Sequence, residues 1–330
     1  MEALKNGGSR YKELDVMRAI GIILVVIGHS FPDASLEQGI QIPWCNLIYR
    51  LIYSFHMPLF FVASGFFARY MSSAGDKINS IKKRFGRLIV PYFVWGAIYI
   101  PFRIILNSFS SANFELKSVV NILWGDNPYS AMWFLYDLLL MSVVQILFVD
   151  TKKKLRISLV ISLAASVISY YCGFAEAILW TFKYSVYFFL GMYFREIYTG
   201  LYDFFSRKLT VVWMGAGFAV LFVIVSLGNP WVNAIASIAL ALLGIGITFY
   251  FSILFKDSKF LNYIGSLCME IYILSGPILV ALRILLYRIV GVPYIAYVGL
   301  AIALSIALSV LGAVILKKIS LFSRLLFGVR

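Results

Sequence analysis

Apolar runs of membrane-crossing length follow one another from end to end of this chain, and that succession constrains the fold more than any motif does. Ten can be drawn, at about 15–31, 50–71, 88–106, 131–149, 156–173, 177–194, 210–227, 231–254, 263–287 and 294–316. Each is about long enough for a hydrocarbon core of ~30 Å. Backbone inside hydrocarbon must satisfy its own hydrogen bonds, and a helix does so within one segment. The expectation is therefore an all-α, polytopic membrane helix bundle of about ten helices, a single domain over 1–330 with short tails at 1–13 and 318–330. Composition agrees, with 62% hydrophobic and 13% charged residues and a mean hydropathy of +0.89, far from a soluble domain. The first run carries Arg18 and His29 and no small-residue cleavage site follows it, so it is expected to be a span and not a removable leader.

A net charge of +14 would in a soluble chain point to nucleic acid. Here the charges cluster in short loops between apolar runs, the pattern of membrane-flanking Lys and Arg, and no nucleic-acid partner is expected. Apart from Arg50, Arg103, Lys117, Lys183, Arg283 and Arg288, every Lys and Arg falls in the N-terminal segment up to Arg18, the even-numbered loops or the C-terminal tail. The positive-inside rule then places both termini in the cytoplasm of a multi-pass protein of the inner or plasma membrane. Of the three cysteines, Cys45 and Cys172 fall near the outer side, but nothing resembles a disulfide scaffold and no bridge is expected.

Orientation converts spacing into depth. His29 stands eleven residues beyond Arg18, about 16 Å higher along a helix. His56, Asp137, Arg103, Lys183 and Arg283 fall in the same outer half, which suggests a polar cavity at that level. Read singly, an intramembrane histidine often only bonds helix to helix, and Lys183 and Arg283 are expected to snorkel to headgroups. Asp137 is too short to do so and should pair with a histidine or Arg103. Pro58 should bend the second span. Ser64-Gly65 either permits close helix approach or makes room for a thin substrate. Trp133 and Phe134 read most simply as an aromatic belt. Glu270, in the lower half of span 9, should face the interior. At the mouth of span 3, Arg84 and Arg87 share a helical face, a geometry suited to phosphate oxygens. From the residues alone, anchoring of anionic membrane lipids remains the default reading of that basic loop, with Lys82 and Lys83 beside it.

Taken in order, these residues resemble the integral-membrane acyltransferase family 3, and within it the polysaccharide O-acetylases of the fucose 4-O-acetylase type. Arg18 and His29 match an Arg-ten-residues-His motif; F-H-M-P-L-F-F-V-A-S-G-F-F, with Ser64 and Gly65, resembles the second-span signature. R-F-G-R before a proline-aromatic pair matches an Arg-x-x-Arg motif at Arg84 and Arg87, and W-F-L at 133–135 resembles a further pattern. The resemblance covers nearly the whole chain. It implies acyl-CoA, most commonly acetyl-CoA, as a co-substrate bound from the cytoplasm, with no permanently bound cofactor. Arg18, Ser64, Gly65, Arg84 and Arg87 would lie along the donor site. It also implies His29 as base and, as acceptor, a sugar hydroxyl of a surface polysaccharide or lipid-linked glycan. One departure stands at Ser275, where many relatives carry histidine.

The chemistry is consistent with this. Acyl transfer to a hydroxyl needs a base matched to neutral pH, which histidine supplies, and a carboxylate such as Asp137 could orient the ring. Whether His29 acts alone or shares the task with His56 is open from sequence. A thioester needs no metal, and no metal-ligand cluster is apparent. The rival reading is a transporter or flippase for a lipid-linked or anionic glycan, since midplane charges serve transport equally well.

Overall fold

A computed structural model describes residues 11–31, 43–105, 116–172, 176–228 and 230–329, and among them there is helix and turn but no strand. The α-helices are α1 (Lys12–Ser30), α2 (Pro43–Tyr53), α3 (His56–Phe66), α4 (Ala74–Arg84), α5 (Val90–Ile105), α6 (Trp133–Phe148), α7 (Lys152–Ile168), α8 (Glu176–Glu196), α9 (Tyr198–Phe205), α10 (Lys208–Ser226), α11 (Pro230–Leu254), α12 (Lys259–Ser266), α13 (Cys268–Leu282), α14 (Tyr294–Leu316) and α15 (Ser320–Phe327). Among the described residues, seven segments are long and apolar enough to cross a membrane: Pro43–Phe66, Ala74–Ile105, Ser130–Phe148, Lys208–Ser226, Val232–Leu254, Cys268–Ile289 and Tyr294–Leu316. The remaining expected runs are helices as well. Of these, α1 opens on Lys12, Glu13, Asp15 and Arg18, and α7 has 17 residues. The chain is an all-α, multi-pass membrane protein.

Three boundaries differ from the sequence expectation. The second span is not one helix but α2 and α3, parted at Ser54-Phe55. Pro58 lacks an N–H and its ring crowds the carbonyl four residues back, that of Ser54, so the break falls where proline forbids continuation. Arg84 and Arg87 do not sit at a helix start: α4, a π-turn at Phe85–Ile89 and α5 run on continuously. The dipole of a helix N-terminus is therefore absent at the pair. Span 9 is preceded by the separate helix α12, and α13 continues into a second π-turn, Arg283–Ile289.

Helix α1 is the hub, packed against α3, α11, α12, α13 and α14. Its approach to α12 is close because Gly265 has no Cβ; one built there would strike the Asp15 carbonyl. The tightest crossing is α3 on α8. A Cβ on Gly65 would strike the Phe188 carbonyl, and one on Gly191 the Val62 carbonyl, so two glycines let backbone meet backbone. Glu270 is buried and pairs with Lys317 at 2.6 Å, joining the start of α13 to the end of α14. An ion pair there removes the cost of an isolated acid inside the bundle.

Candidate active site

Two regions lie at opposite ends of α1. At its N-terminal end a cavity of about 470 Å³ is bounded by Arg18, Ser64, Arg69, Lys83, Arg84 and Arg87, with Phe60, Phe134, Leu138 and Tyr272 towards the interior. No Asp or Glu lines it among the described residues. Arg18 forms an ion pair with Asp15, one turn earlier, and its guanidinium lies 5.4 Å from the Phe67 ring centre. Arg84 donates from Nη1 to Ser142 Oγ at 2.8 Å, and Ser142 in turn donates to the Leu138 carbonyl at 2.6 Å. That chain fixes one guanidinium against α6, while Arg87, set in the π-turn, stays exposed. Single-turn π-bulges recur at functional sites. The cavity thus has a strongly cationic rim and an aromatic interior.

At the other end, His29 lies among the helices yet keeps accessible ring surface. Tyr53 Oη is 3.4 Å from both ring nitrogens. The Tyr53 ring stacks on Tyr49 at 3.8 Å and meets His56 edge-on at 4.6 Å. Room for it comes from Gly28, where a Cβ would stand 2.9 Å from Tyr53 Cε2. His56 is buried, and its Nδ1–H donates to the Ile52 carbonyl at 2.9 Å, which fixes its tautomer. Arg283 donates to the Phe31 carbonyl at 3.3 Å and lies within electrostatic reach of His29.

The structure gathers Arg18, Ser64, Arg84 and Arg87 on one cavity, and His29 and His56 around one tyrosine. Two expectations are corrected. Gly65 does not line the cavity; it is consumed by the α3–α8 crossing, while its neighbour Ser64 does line it. Asp137 pairs neither with a histidine nor with Arg103: Thr181 Oγ1 donates to its Oδ1 at 2.9 Å, and Oδ2 is buried without a hydrogen bond. Its position on α6 turns it towards Thr181 of α8. Lys183 and Arg283 each have protein partners, Arg283 at the Phe31 carbonyl. The Lys183 ammonium lies 5.0 Å from the Trp180 ring, 5.4 Å from Tyr170 and 5.7 Å from Tyr184, a cation–π cage. Trp133 is part of the same aromatic group, 5.5 Å from both Trp180 and Tyr184. Of the charges expected in the outer half, Asp137 and Lys183 therefore stand in environments separate from that of His29.

Sequence reasoning missed Tyr53, Arg69 and the inward turn of Arg283. Their signals were faint: one tyrosine of 21, and arginines indistinguishable from the flanking-charge pattern. The cavity itself ends at Phe60, Phe134 and Tyr272, and neither histidine lines it. Phe134 bridges the other two rings, with centroids 6.1 Å from Phe60 and 5.6 Å from Tyr272. Three aromatic rings thus stand at its inner end.

Comparison with known proteins bears on this geometry. Residues 11–314 match the family described as "Acyltransferase domain". Among curated proteins, the chain is similar to the nodulation protein NolL of Sinorhizobium fredii, 31% identical over 84 residues, which is 26% of this chain and 23% of that protein. It is also similar to NolL of Mesorhizobium japonicum, 25% identical over 130 residues, 39% of this chain and 33% of that one. The matches thus span a quarter to a third of those relatives. No solved structure matches.

Proposed function

We infer the function from the premise that this chain belongs to the acyltransferase family matched over nearly its whole length: a membrane acyltransferase, which we propose takes its acyl group from cytoplasmic acyl-CoA and transfers it to a sugar hydroxyl. The acyl group is most simply acetyl, and the acceptor a surface polysaccharide or a lipid-linked glycan. Membership favours acyl transfer over the transporter or flippase reading.

The observation that carries the proposal is the polarity of α1. Its one end contributes Arg18 to a cationic cavity lined by no acid among the described residues, and its other presents His29, about 16 Å away at helical rise. A donor with a phosphorylated head and a long thin arm suits that arrangement. Arg84 and Arg87 would hold phosphate oxygens as forked donors, and the arm would pass Ser64, Leu138 and the three rings. His29 takes the proton of the acceptor hydroxyl as its oxygen attacks the thioester carbonyl. The tetrahedral intermediate then collapses, the carbon–sulfur bond breaks, and the proton returns to the departing thiolate. Tyr53 keeps the imidazole in place during this exchange.

Incubating the purified protein with acyl-labelled acetyl-CoA and candidate glycans is the direct test. Label should pass to the glycan in the wild type and not in His29→Ala. Transport of glycan without incorporation of label would overturn the reading.

A further inference from the structure

More positive charge surrounds the cavity than the residues of the two arginine motifs account for. Arg69 and Lys83 line it too, and neither forms an ion pair among the described residues. Asp15 offsets Arg18, which leaves Arg69, Lys83, Arg84 and Arg87 around one space without a countercharge. Like charges so gathered repel, and an anionic ligand relieves that cost.

Arg69 is held in place by its backbone and free at its head. It follows the end of α3, where helix carbonyls lose their intrahelical partners. Arg195 Nη1 donates to the Ala68 carbonyl at 3.2 Å, Gln145 Nε2 donates to the Arg69 carbonyl at 3.0 Å, and Tyr70 donates to the Glu196 carboxylate. Side chains of α6 and α8 thus pin residues 68–70, while the Arg69 guanidinium is exposed on the cavity. It enters from the segment after α3, whereas Lys83, Arg84 and Arg87 enter from α4 and its π-turn.

The charge is informative about the ligand. A diphosphate carries about −2 and a separate phosphomonoester about −1.5 to −2 at pH 7, together close to the charge of the four unoffset cations. An acyl group tethered through a single phosphodiester, as on a carrier protein, brings only about −1. Resting on the acyl-CoA reading above, we propose that Arg69, with Lys83, forms a second anion subsite that takes a phosphomonoester, so that the cavity selects a nucleotide donor bearing both a diphosphate and a monoester.

Equilibrium binding of CoA and of 3′-dephospho-CoA to the full chain in lipid nanodiscs tests this. Wild type should bind the dephospho compound about 10–100-fold more weakly, as expected for one lost charge-assisted contact. Arg69→Gln should bind CoA as weakly as wild type binds dephospho-CoA, with little further loss when the monoester is removed. Lys83→Gln, in exposed α4, should show a smaller loss in the same sense and serves if the Arg69 variant does not fold. Equal weakening of both ligands by these substitutions, or unchanged CoA affinity, would overturn the subsite. A wild-type protein that binds neither compound would remove the acyl-CoA reading itself, and the subsite with it.

Discussion

Among the described residues, His29 has a phenol and an arginine for neighbours and no carboxylate, and this determines what each neighbouring residue can contribute. A base flanked by a carboxylate is held in one tautomer by it; here Tyr53 Oη faces both nitrogens equally, 3.4 Å from each, and leaves the tautomer to the substrate. His29→Ala should lower turnover by roughly 10²–10⁴-fold with the protein still folded and inserted, measured as acyl transfer beside a thermal-unfolding profile. Turnover near wild type would move the role to His56. Gly28→Ala is a milder probe: its Cβ presses on Tyr53, so turnover should fall while donor binding at the far end of α1 holds. Asp137 belongs to a different set of contacts. It bonds Thr181 and lies buried beside α8, so Asp137→Asn, which keeps an acceptor for that hydroxyl, should change turnover little. Asp137→Leu strands the Thr181 donor and should cost about 1–3 kcal/mol of stability. If Asn alone abolishes turnover without loss of stability, Asp137 is part of the chemistry after all.

At the scale of elements, the sequence spoke clearly where one residue type has one physical consequence. Pro58 announced the break between α2 and α3, and Arg84 and Arg87 announced a shared face. Hidden from it were features that need the partner helix in view. Ser64-Gly65 fits close packing and substrate room equally, and only the Phe188 carbonyl decides that Gly65 packs while Ser64 lines the cavity. Nor does a basic loop reveal that it is the helix α4 leading into a π-turn, since Lys and Arg suit helices and loops alike. Two expectations follow. Gly191→Ala should force α3 from α8 and destabilise by about 1–3 kcal/mol, seen as a lower unfolding temperature with parallel loss of folded protein in gel filtration. Arg87→Lys, which keeps charge but loses the forked donor geometry, should weaken acyl-CoA binding while leaving that temperature unchanged. Unaltered affinity would return the basic segment to a lipid-anchoring role.

Across the whole molecule, helix type and number of apolar runs were legible because hydrocarbon admits so few backbone solutions, whereas depth was only partly so. Spacing placed His29, His56, Asp137, Lys183 and Arg283 at one level, and level was mistaken for proximity. Neighbours in depth still face different helices: α8 takes Asp137 through Thr181, aromatic rings take Lys183, while His56, across Tyr53, and Arg283 lie near His29. The two ends of the bundle nevertheless differ in charge. The segments carrying Lys12, Arg84, Arg87, Arg195, Lys256 and Lys317 meet at the end where α1 begins, as the pairs Lys12–Asp257 and Lys317–Glu270 show by tying α12 and α14 to it. Crowding of basic residues on one face is what the positive-inside rule reads, and the proposal of a cytoplasmic acyl-CoA donor requires that face, with the arginine-lined cavity, to be the cytoplasmic one. Single cysteines introduced on a cysteine-free background should then react with an impermeant thiol reagent from outside when placed within 107–130, and should be spared within 72–84 until the membrane is permeabilised. The opposite pattern would turn the molecule over, leave the cavity facing away from its donor, and defeat acyl transfer from the cytoplasm however well the site residues fit.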